Sequence, residues 1–268
     1  LSEAELPAAT CLENVIFASQ VLLGTGLGVM LFQKISVFTL LAIDAASFLG
    51  SLLMLWLAGR RFSAPSLPSL EEEEAPAALR WRTLTVRQKR SLLILPALAA
   101  VGSPAMALLP ALAQQLHPQD AAGLALPLLF ARSLGQLCGP MLLKKESLTR
   151  FAARTPRIIV CLGIFLAAYG MLPLLSGWMA CALGMIFIAH LASNVLFAAG
   201  TFGVLSSFHI TQTASASGKA WRWQTLSASL FTGIAAAVAA GFGSVAALYA
   251  VSSAALVMVA LIVRRYRE

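Results

Sequence analysis

Charge is what this sequence has least of. Asp, Glu, Lys and Arg make up 11% of its 268 residues, against about 25% in soluble domains. So few charges cannot give a soluble globule its polar rim, which excludes a soluble enzyme and a disordered chain. Cysteine is scarce as well. Cys11, Cys138, Cys161 and Cys181 are spaced too widely for a C-x-x-C pair or a metal-ligand cluster. They read as small apolar packing residues, and a disulfide-stapled module is excluded. There is no G-x-S-x-G, H-E-x-x-H, P-loop or dinucleotide fingerprint. The three histidines, His117, His190 and His209, lie far apart. No nucleophile and base set can be assembled, so the chain is not expected to be an enzyme, nor to need a metal or cofactor.

What is plentiful is apolar length. Hydrophobic residues reach 59% and the mean hydropathy is +0.83. A membrane helix needs about 20 apolar residues, and that window predicts eight spans. They run over Asn14–Gln33, Val37–Gly59, Ser91–Leu112, Leu124–Leu143, Ile158–Leu175, Met179–Leu205, Leu226–Phe242 and Val245–Val263. The runs are too long for barrel strands. The expected fold class is an all-α membrane protein, a polytopic helical bundle of about eight transmembrane helices.

Of the 19 Lys and Arg, all but Lys34 and Arg132 fall in alternate connections or after the last span. By the positive-inside rule these basic loops and both ends are cytoplasmic. The net charge of +8 is therefore a topology signal, and no nucleic-acid partner is expected. The bilayer is the first partner. Residues 60–90 hold Pro65, Pro68, Pro76 and the run Glu71–Glu74, which suits a solvated linker. It divides the chain into residues 1–59 with two spans and 91–268 with six. Transporters are commonly built from equal repeats. The two-plus-six division, with a start at Leu rather than Met, predicts four further helices upstream in the same full-length chain.

The residues that follow carry a family likeness. Ala42-Ile43-Asp44-Ala45-Ala46-Ser47-Phe48 resembles the "iDAlSF" signature of the sixth helix in bacterial drug- and siderophore-exporter-like members of the major facilitator superfamily. Residues 4–9 (AELPAA) resemble that branch's stretch before helix five, and Gly218-Lys219-Ala220-Trp221-Arg222 its opening of helix eleven. The likeness covers essentially the whole chain, as helices five to twelve of a twelve-helix fold. Residues 1–59 would then be the last two helices of the N-terminal bundle and 91–268 the six-helix C-terminal bundle. It implies a secondary transporter in the bacterial inner membrane, exporting small amphipathic molecules in exchange for protons by alternating access. An importer or lipid transporter of the same fold, and a truncated non-transporting membrane protein, are the alternatives. The exporters' helix-five motif G-P-x-x-G-G would fall on Gly24-Thr25-Gly26-Leu27-Gly28-Val29, which lacks the Pro and the last Gly.

Ionisable groups inside a membrane are costly and therefore candidates for function. Arg132 lies deep in the fourth span, and Gln136, one turn on, shares its face. The pair lines a substrate path or neutralises an anionic group; the alternative is an Arg locked to one acidic residue. Asp44 reads as a packing or hydrogen-bonding residue, with proton coupling as the alternative. Glu13 and Gln20 share a face, and Gln20, Gly24 and Gly28 continue it. That stripe reads either as a cytoplasmic gate on a cavity-facing helix or as a capping acid with glycines for packing. His190 and Asn194 form an i, i+4 pair, either a proton relay with a substrate contact or a satisfied pair bridging two helices. Gln224, Ser227 and Ser229 read as packing residues. Trp178, Trp221 and Trp223 read as interfacial anchors.

Overall fold

The computed structural model describes residues 6–31, 34–61, 79–116, 121–143, 148, 151, 154–175 and 177–266. Among them there are eight α-helices and no strand. They are α1 (Leu6–Leu31), α2 (Val37–Arg61), α3 (Val86–Leu116), α4 (Ala121–Met141), α5 (Thr155–Met171), α6 (Met179–Ser207), α7 (Ile210–Phe242) and α8 (Ser244–Arg265). Six stretches are long and apolar enough to cross a bilayer, in α2, α3, α5, α6, α7 and α8. The chain is thus an all-α polytopic membrane protein. Each predicted span falls on a helix, with one large difference in extent. The apolar run of the seventh begins at Leu226, but α7 begins at Ile210. Its first turns are polar yet packed, with Ala216 and Ala220 buried against Leu84, Leu92, Leu95, Val204 and Phe208. Lys219 Nζ donates to the Leu79 carbonyl at 2.7 Å, and Trp223 meets Trp81 edge-on at 5.2 Å.

Two compact units divide the chain. The smaller is Leu23–Ala78. In it Ser36 caps α2, its Oγ accepting from the Thr39 amide at 3.1 Å. Residues 41–60 of α2 are exposed throughout, which suits a helix face bathed in hydrocarbon.

The larger unit comprises Leu1–Leu22 and Leu79–Glu268. Its axis is α3, which packs against α4, α5, α6, α7 and α8. Apolar residues all round the helix make that burial possible; Leu92, Val101, Ala105 and Ala113 are fully enclosed. Pro96, Pro104 and Pro110 interrupt its ladder, which membrane helices tolerate where neighbours supply hydrogen bonds. Lipid is as apolar as leucine, so close packing rather than water exclusion holds such helices together.

Helices α4 and α6 approach each other closely. The Phe187 carbonyl oxygen lies too close to the point a Cβ on Gly135 would take, and the Leu191 carbonyl lies 2.8 Å from the corresponding point on Gly139. Gly135-x-x-x-Gly139 is a small-x-x-x-small seam. Helix α7 turns into α8 at Gly243, whose φ of 84° favours glycine.

Candidate functional site

The glycine seam aims the neighbouring side chains. Arg132, Gly135, Gln136 and Gly139 lie on one stripe of α4. Their facing residues on α6 include His190 and Asn194, whose Cβ atoms lie 3.1 Å from the points a Cβ would take on Gly135 and Gly139. Beside this contact opens a cavity of about 290 Å³. Arg132 and Gln136 of α4, His190, Ser193 and Asn194 of α6, Ser103 of α3, and Gln224, Thr225 and Ser229 of α7 form its polar wall. Phe17, Leu98, Met106, Phe165 and Phe197 form the apolar one.

His190 is nearly fully buried, at 1% exposure. Its Nε2 lies 2.7 Å from the Tyr169 hydroxyl of α5. In one tautomer the hydroxyl donates to Nε2 and Nδ1 carries the remaining hydrogen; in the other Nε2–H donates and Nδ1 is an acceptor. Either way Nδ1 has no partner. Phe165 packs edge-on to the imidazole at 5.6 Å. The Asn194 side-chain amide donates to the His190 carbonyl at 3.2 Å. The histidine bridges α6 to α5 through Nε2, with Tyr169 and not Asn194 as its partner, and it lines the cavity.

Seven buried side-chain polar atoms lack a partner among the described residues, and four belong to this wall: Arg132 Nε, Gln136 Oε1, His190 Nδ1 and Gln224 Oε1. An unpaired buried polar group costs about 1–3 kcal/mol. The four residues that carry these atoms line one cavity. Among the described residues no carboxylate pairs with Arg132.

A second cavity, of about 460 Å³, is lined by Glu13, Ile16, Phe17, Gln20, Phe197, Thr201, Leu205, Ser217 and Trp221. Phe17 and Phe197 belong to both walls. The Trp221 ring, expected at an interface, meets Phe197 edge-on at 6.0 Å.

Of the residues singled out from the sequence, Arg132, Gln136, His190 and Asn194 meet at the first cavity, and Glu13 and Gln20 at the second. Asp44 lies on α2 in the smaller unit, exposed, its carbonyl accepting from the Ser47 hydroxyl at 2.7 Å. Gly24 is exposed and Gly26 half-buried on α1; the surroundings of Gly28 lie outside the described residues. Gln224 and Ser229, read as packing residues, line the first cavity, whereas Ser227 faces a separate apolar one. Tyr169, Phe17 and Phe197 carried no sequence signal beyond being aromatic in apolar runs. No family model, no curated protein and no solved structure matches the chain. What the site offers is one cation, three amides, an imidazole and several hydroxyls against aromatic rings, a set suited to binding.

Proposed function

We propose that the chain is a secondary transporter, exporting small amphipathic molecules in exchange for protons by alternating access. One observation carries the reading: Arg132, Gln136, His190 and Gln224, each with an unpartnered buried atom, line a single cavity whose walls include α3, α6 and α7, helices of membrane length. Polar groups at such depth serve substrate and ion pathways, and substrate sites of secondary transporters lie between helices near the midplane. The resemblance to the major facilitator superfamily supports the same reading and makes the larger unit chiefly the C-terminal half of that fold. The basic loops then face the cytoplasm of a bacterial inner membrane.

Proteoliposomes under an imposed pH gradient test this. Fluorescent amphipaths of anionic, neutral and cationic charge are expected to move only when the gradient is present, and Arg132→Ala to abolish that movement. Transport equal to empty vesicles for every compound sinks the proposal.

A further inference from the structure

Arg132 brings a positive charge to the first cavity, and among the described residues no carboxylate answers it. The only described acidic side chains are Glu13, which lines the second cavity, and Asp44, exposed on α2 in the smaller unit. An unanswered charge among apolar helices is expensive, and among the described residues no second side chain relieves it. The nearby groups point the same way. Gln136 and Gln224 end in amides, which can turn to present N–H, and His190 Nδ1 is buried and unpartnered. Across the space stand Phe165, Phe197 and Met106.

We infer that this cavity takes a small organic anion: one carboxylate, phosphate or sulfonate against Arg132, with an apolar or aromatic body against Phe165, Phe197 and Met106. The volume of about 290 Å³ sits at the lower end of ligand pockets, which start near about 300 Å³. A compact body fits, such as one or two fused rings or a short acyl chain. That the anion is a transported substrate rests on the transporter reading; that it binds does not. Two sources offer this chemistry, a lipid headgroup from the bilayer and a water-borne organic acid.

The test uses the purified full chain in nanodiscs of phosphatidylcholine, titrated with 2-naphthoate and with 2-naphthamide, which keeps the ring and loses the charge. Uptake by empty discs is subtracted. The acid is expected to bind at least about tenfold more tightly than the amide. Arg132→Gln should bring the acid down to the affinity of the amide, and Arg132→Lys should keep the preference. Equal affinities in the wild type, no binding of the acid, or a preference that survives Arg132→Gln each overturn the inference. The wild-type comparison stands even if Arg132→Gln does not fold. Adding phosphatidylglycerol to the discs separates the sources: loss of naphthoate binding assigns the site to a lipid headgroup, and unchanged binding to a water-borne acid. An intact naphthoate preference without transport in vesicles defeats the transporter reading alone. Gradient-driven movement of the amide but not the acid defeats the anion alone.

Discussion

Tyr169 shows how much one hydroxyl does here. Its ring is fully buried, and its oxygen is the sole partner found for the His190 side chain. Tyr169→Phe keeps the ring and leaves both imidazole nitrogens unpaired, so a loss of about 1–3 kcal/mol is expected. Thermal unfolding in detergent reads it. In a cycle with His190→Leu the two losses should fall short of additive by about 1 kcal/mol, because the second change removes the orphaned group. Full additivity would show that the hydroxyl and the imidazole do not interact. Arg132 and Gln136 were legible in the sequence, since a charge inside an apolar run stands out and its helical neighbour follows. Tyr169 was not. Its partner is 21 positions away on another helix, and no local period connects them.

Between elements, the glycines rank themselves by what a methyl group would strike. At Gly135 it meets the Phe187 backbone and at Gly139 the Leu191 backbone, neither of which can yield without moving α6. At Gly200 it meets the ends of the Leu95 and Ile94 side chains, which can turn. At Gly24 it meets nothing within 4 Å. Alanine is expected to destabilise most at Gly135, then Gly139, then Gly200, the first two by about 1–3 kcal/mol. At Gly24 it should be neutral or slightly stabilising, because alanine is the better helix former. A thermal series over the four variants checks the order, and equal losses would contradict it. The Gly-x-x-x-Gly spacing was present in the sequence, but only the partner helix distinguishes a seam from a chance pair. Helix α7 was half legible for a related reason. Hydropathy sees Leu226 onward, while the polar turns before it are fixed by Ala216, Ala220 and Lys219 against neighbours distant in sequence. Gln224, just before the apolar run, was read only as a packing residue, and it lines the first cavity.

For the whole molecule, composition sufficed to give the class, and the alternation of basic loops gives an orientation to measure. Thr83, before α3, and Leu174, after α5, are exposed and fall on opposite faces under the positive-inside rule. With the four native cysteines replaced, Leu174→Cys in intact cells should react with an impermeant maleimide, and Thr83→Cys only after permeabilisation. The reverse result inverts the topology. The two cavities add a second expectation. Phe17 and Phe197 stand in both walls, so Phe197→Ala should merge the spaces, letting a bulkier amphipath bind and weakening selection by size. An unchanged size limit in binding would mean that the rings do not separate them.

The seam between α4 and α6 also limits how the protein can move. Where two backbones touch with no side chains between them, there is no soft layer on which one rod can slip along the other. A shift of less than a full turn, about 5.4 Å, would drive a ridge into the spot that Gly135 or Gly139 leaves free. The two helices therefore have a single seat and travel as one plank, carrying Arg132 and His190 at a fixed spacing. Whatever opens this cavity first to one side and then to the other must be hinged elsewhere, with the cation and the imidazole riding together as passengers.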